Sequence, residues 1–331
     1  MRITQTDPCR RTSSRWWPAC LLALLAGCAT RERDEFVALR NVPAESAAWG
    51  YGGREGRKLV TEHYDIFTTL RDQRLIDSLP QAMETTYAWF QHLAPVPDPP
   101  RERMPVYLFA DRDDWTFFTR RNFPQKAALL TKVRNGGYTE GSTAVIEYVA
   151  HQVTVTVMAH EGMHQYLHHC VRQRVPAWLN EGLAVLCEGQ RWDADGLRGF
   201  DPWFNPARRN ALAEALLRDD LYPLDELLRI NAGHVVGGPT RGIATYYAQV
   251  WALLLFLREG EQGKYAEGFR QLMAALPDEQ LEARARAAFV TSDRPEYDMG
   301  TGLFMAFISP EIEAVDAEYS RFMREKILGQ R

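Results

Sequence analysis

His160, Glu161 and His164 form the pattern H-E-x-x-H. On a helix, positions four apart lie about 40° apart around the axis and one turn along it, so both imidazoles can reach one ion. Glu161 sits one step round, where a carboxylate can hold a water beside the metal rather than bind the metal itself. This is the chemistry of a hydrolytic zinc site, in which three protein ligands leave a fourth position open.

The third ligand can come from two places. One is a histidine six residues beyond the second, preceded by a glycine. Here those positions are Leu167 and Cys170, which excludes that scheme. His168 and His169 lie too far along the helix to converge with the first pair. They read as helix-end histidines, favoured by the negative end of the dipole. The other source is a glutamate on a second helix. Pro176 opens an apolar stretch, Trp178-Leu179-Asn180-Glu181-Gly182-Leu183-Ala184-Val185, because proline loses no hydrogen bond at a helix start. A metal would offset the cost of burying Glu181 there.

The two segments together resemble the gluzincin zinc metallopeptidases, and more narrowly the bacterial peptidase-MA-like group, whose W-x-x-E-G-x-A helix carries the third ligand. The likeness runs from about residue 60 to 257. It takes in strands near 64–67 and 106–109, a glycine-bearing hairpin before the HExxH helix, and a helix at 246–251. It implies one Zn2+ held by His160, His164 and Glu181, and hydrolysis of peptide or protein substrates. The implied fold is α+β, a thermolysin-like zincin with a small N-terminal sheet lobe, an HExxH active-site helix and a mainly helical C-terminal lobe.

By the same resemblance Glu161 is the expected general base, taking a proton from the attacking water and passing it to the leaving amine. The oxyanion donor would be a Tyr or His of the helical lobe. Tyr247 is expected in that role, with Tyr246 and then the loop residue His234 behind it. Many relatives carry an Asp four residues after the ligand Glu to orient a histidine. Here that position is Val185, so the orienting partner is unassigned. The strand at 143–148 is expected to pair with an extended peptide. Two other functions stay open on the same residues: a non-catalytic zinc- or peptide-binding envelope lipoprotein, and a zinc amidase acting on a cell-wall component.

The N-terminus carries Arg2, Arg10, Arg11 and Arg15 ahead of an apolar stretch over 16–26, too short to span a bilayer. It ends in Leu25-Ala26-Gly27-Cys28, which resembles the bacterial lipobox. That implies cleavage before Cys28 and lipid on Cys28. With Ala29 following, it also implies anchoring in the outer membrane, facing the periplasm. Residues 1–27 thus read as a lipoprotein signal peptide. Residues 28–57, Arg/Glu-rich and then Gly-rich, read as a flexible tether, and 58–331 as a two-lobed zinc metallopeptidase-like domain. The whole chain has net charge −4, and residues 1–27 hold four Arg against one Asp, so the rest is more acidic still. That excludes the basic footprint of nucleic-acid binding. Cys170 and Cys187 each lie about 9 Å of helix beyond a presumed ligand, in opposite directions, and are expected to stay unpaired and mostly buried.

The elements that must position these residues follow from apolar spacing. Helices are expected over 72–90, from Asp111 to 121, and over 206–218, 223–230, 243–259, 262–275, 278–289 and 309–327. A hairpin should turn at Glu140-Gly141. The segment from Val153 to Val157 alternates like a strand, and β-branched residues are mediocre helix formers. Yet Val153, Val157, His160, His164 and Leu167 share a helical stripe, so a helix is expected from about Gln152. Segments 189–205 and 231–243 read as loops that shape specificity.

Overall fold

The computed structural model describes residues 36–329 except 98, 100, 101, 134, 135, 172, 195, 231–241 and 293. The signal segment, Cys28 and His234 lie outside the described residues. Those described fall in one compact α+β unit, Glu35–Arg331.

The strands are β1 (Phe36–Val37), β2 (Glu45–Tyr51), β3 (Arg54–Val60), β4 (Tyr64–Thr68), β5 (Met104–Phe109), β6 (Gly137–Glu140), β7 (Thr143–Glu147), β8 (Gln190–Asp193) and β9 (Gly196–Phe200). The helices are α1 (Gln73–Leu93), α2 (Arg112–Asn122), α3 (Ala127–Leu130), α4 (His151–Cys170), α5 (Ala177–Leu186), α6 (Pro206–Leu217) and α7 (Leu224–Arg229). They continue with α8 (Ile243–Glu259), α9 (Ala266–Ala275), α10 (Leu281–Val290), α11 (Met299–Phe307) and α12 (Ile312–Phe322).

The main sheet runs β2-β3-β4-β5-β7-β6, with β4, β5 and β7 parallel and the outer pairs antiparallel. Side chains alternate across it, as the period of two requires. Val106, Leu108, Ala144 and Ile146 enter the large core with α1 and α4, whereas Phe109 and Val145 join Trp115 and Phe118 of α2 on the opposite face. Asp72 caps α1 through the amides of Arg74 and Leu75, and Asp111 caps α2 through that of Asp114, which fixes where each helix starts.

Three expectations need correction. Residues 45–57, read as the end of the tether, belong instead to the β2–β3 hairpin, paired residue by residue from Glu45↔Val60 to Tyr51↔Arg54. Trp49 lies over Gly56, where a Cβ would meet its ring at 3.0 Å. Segment 189–205 is not a loop but contains β8 and β9, and β9 pairs with both β8 and β1 in a second small sheet of order β1-β9-β8. The free edge of the main sheet near the HExxH helix is β6; β7, at 143–147, has β5 on one side and β6 on the other. Helix α11, absent from the sequence reading, packs its buried Leu303 and Phe304 into the same large core as Leu281 and Ala285 of α10.

The expected helix at 152 forms, starting at His151. Its buried stripe is not the one that carries the histidines. Val155, Met158, Ala159, Gly162, Met163 and Tyr166 are buried, while Val153 is 47% exposed. The core thus grips the back of α4 and leaves the histidine face toward the site, overriding the strand-like alternation. The glycines of both motifs serve close packing. A Cβ on Gly162 would lie 3.0 Å from the Phe90 ring of α1, and one on Gly182 would lie 2.7 Å from Leu254 of α8.

Candidate metal centre

Helix α4 presents His160 and His164, and α5 crosses it to present Glu181. Glu181 Oε2 lies 3.6 Å from His160 Nε2 and 3.5 Å from His164 Nε2. The two imidazoles are 5.0 Å apart at 80° to one another. Among the described residues this is the one group of three side chains whose ligand atoms all fall within 4.8 Å of each other and could hold a metal ion. All three are 13–16% exposed, so the cluster is sheltered yet open to solvent on one side.

The remaining ring nitrogens are occupied. His160 Nδ1 lies 3.0 Å from Glu188 Oε1, and His164 Nδ1 lies 3.0 Å from Asn180 Oδ1. Such contacts set ring orientation and leave Nε2 facing inward as a lone-pair donor. Glu181 Oε2 is buried and receives no hydrogen bond. A buried acceptor with no donor needs a partner, and a cation between it and the two Nε2 atoms would supply one. The residues therefore fit a divalent metal.

Glu188 is itself held firmly. Arg208 donates to it twice, from Nε at 2.9 Å and Nη2 at 2.7 Å, and Asn205 Nδ2 donates at 2.9 Å. The Arg208 guanidinium also lies 4.9 Å from the centre of the Tyr247 ring. Tyr247 in turn meets the His160 ring edge-on at 6.0 Å. Tyr246 is fully buried, and its hydroxyl has no partner. Of the two tyrosines, Tyr247 is the one that meets a candidate ligand, the His160 ring. The Glu161 backbone carbonyl accepts from Thr139 Oγ1 of β6 at 2.8 Å, tying the sheet edge to the HExxH turn.

Burial opposes charge on each of these groups, but neighbours outweigh it. The nearby carboxylates of Glu181 and Glu188 raise the pKa of His160 to about 10. His164 is raised, against burial, chiefly by Glu181. Glu181 is held below the usual carboxylate range by His164 and His160, and Glu188 is brought down to about 2 by His160 and Arg208. Both carboxylates are anions, and the field that favours a proton on either imidazole equally favours a metal cation in its place. Burial, followed by the charges of Glu181 and Glu161, pushes the Tyr247 hydroxyl far above the ordinary phenol range, so it remains a donor.

No protein-family model matches this chain, and no curated protein matches it either.

Sequence reasoning found the three residues that converge, His160, His164 and Glu181, but not their supports. Val185, the position where an orienting Asp was sought, is fully buried in the core. Glu188 does that work from seven residues after Glu181, beyond the end of α5 at Leu186. Seven residues are about two helical turns, so the spacing itself carried a signal. Asn180 stood inside the motif without a role. His168 and His169 occupy the last turn of α4, outside the ligand cluster. Cys170 is half-buried and Cys187 buried, both as free thiols.

Proposed function

We propose that the chain is a zinc metallopeptidase of the gluzincin type, with a thermolysin-like arrangement of sheet, HExxH helix and helical half. The observation that carries the reading is the convergence of His160, His164 and Glu181, with both Nδ1 atoms already engaged by Glu188 and Asn180. Zinc held there would act as a Lewis acid and bring the pKa of a water toward neutrality. Glu161 takes the proton from the attacking water and delivers it to the leaving amine. Tyr247, kept protonated, donates to the oxyanion that develops on the scissile carbonyl. Glu188, clamped by Arg208, holds the His160 ring in register. An extended substrate pairs with the free edge of β6. The lipobox likeness at residues 25–28 supports lipid attachment at Cys28 and a place on the periplasmic side of the outer membrane.

Glu161→Gln tests the mechanism. The variant should keep its zinc and lose about 10²–10⁴-fold in peptide hydrolysis. Equal activity would remove Glu161 from the reaction. Zinc binding without turnover of any peptide in wild type would favour a binding lipoprotein. Turnover of peptidoglycan fragments alone would favour a cell-wall amidase.

A further inference from the structure

A cavity of about 650 Å³ opens directly beside the metal centre, with His164 and Glu181 in its wall. That volume is in the range of small-ligand sites. Its other walls are the β6–β7 turn at Gly141, the end of α4 at His168, and the segment leading into α5, which contributes Arg174. Arg174 is the one Arg or Lys among the described lining residues, and Glu181 is the one carboxylate. Glu181 is directed at His160 and His164, so its charge is already engaged. His168 Nε2 lies 3.8 Å from where a Cβ on Gly141 would stand, and both residues line the cavity. Both Arg174 and His168 are exposed.

The segment that carries Arg174 is anchored. Gln173 Nε2 donates to the Asp278 carbonyl at 3.0 Å, and its Oε1 accepts from the Glu282 amide at 3.0 Å. Two acids of the stretch that Gln173 contacts pair with other arginines: Asp278 with Arg284 at 2.8 Å and Glu282 with Arg286 at 2.9 Å. A guanidinium on an anchored segment, lining a cavity beside the candidate metal centre, is suited to carboxylate recognition.

We propose that this cavity is a carboxylate-binding subsite, in which Arg174 and His168 grip either an acidic side chain near the scissile bond or the terminal carboxylate of the peptide. The inference rests on the peptidase reading and names its substrate class. A short positional peptide library, with Glu or Gln fixed at each position and the C-terminus free or amidated, tests it. Binding is read by fluorescence anisotropy on the zinc-loaded Glu161→Gln protein, and kcat/KM on wild type. A Glu-over-Gln preference of about tenfold in amidated peptides assigns an acidic side chain. A free-over-amidated preference of that size assigns the terminal carboxylate. Either preference should collapse in Arg174→Ala and reverse, toward Gln or the amidated end, in Arg174→Glu. Equal binding of all four forms, or a preference that survives Arg174→Ala, overturns the subsite. A carboxylate preference in binding with no cleavage of any peptide upholds the subsite and removes the peptidase reading.

Discussion

His160 Nδ1 lies 3.0 Å from Glu188, and His63 Nδ1 lies 2.6 Å from Glu84. Both pairs join a helix residue to a neighbouring segment, and both carboxylates are well buried, with side chains 11% and 6% exposed. Their surroundings differ. The far side of His160 faces Glu181 and His164, and Arg208 balances the charge of Glu188. His63 instead stacks flat on Tyr87 at 3.7 Å, and its backbone N–H also donates to Glu84 at 2.9 Å. Among the described residues no ligand trio converges on it. A histidine–carboxylate pair is thus not in itself a metal site. What separates the two is a third candidate ligand, Glu181, delivered by a second helix, whose Oε2 receives no hydrogen bond.

The largest effect should come from removing that third ligand. Glu181→Ala is expected to cost far more than about 100-fold in zinc affinity, measured by competition with a chromophoric chelator. Near-wild-type affinity would show that the trio is not the site. Next comes the outer partner. Glu188→Gln keeps an acceptor for His160 but loses the charge and the Arg208 pair, and zinc affinity should fall about 10–100-fold. An unchanged affinity would reduce Glu188 to a structural role.

The matched change on the other side, Glu84→Gln, should leave zinc content untouched and lower stability at neutral pH by about 1–2 kcal/mol. Its pH dependence has a definite sign. Burial tends to raise the Glu84 pKa, but hydrogen bonds from His63 and Thr61 bring it below the ordinary value of 4.5. A depressed folded pKa contributes stability that is full above the unfolded value and lost as pH falls through the folded one. The gap between wild type and variant in denaturant titrations should therefore hold at neutral pH and close below about pH 4.5. A gap that persists in acid would contradict the pairing.

The two regions were also unequally readable from the chain. Helical spacing paired His160 with His164, and the apolar helix opened by Pro176 singled out Glu181, because both signals are local and local patterns survive folding. The supports of the site come from tertiary placement. Asn205 and Arg208 arrive at the start of α6, more than twenty residues after Glu181, and no period announces them. The β2–β3 hairpin was hidden for a different reason: it is an edge ribbon, largely exposed, so it lacks the buried alternation by which strands are recognised. Helix α11 carries no charged residue and is buried along most of its length, so it has no stripe to count. Strand order was equally out of reach, since β7 follows β6 in sequence yet lies inside it in the sheet.

The most direct test of the central claim is an anomalous difference map collected at the zinc edge from crystals of the zinc-loaded chain. The account predicts one peak, about 2.0–2.2 Å from His160 Nε2, His164 Nε2 and a Glu181 oxygen. A peak elsewhere, or none at saturating zinc, would contradict it.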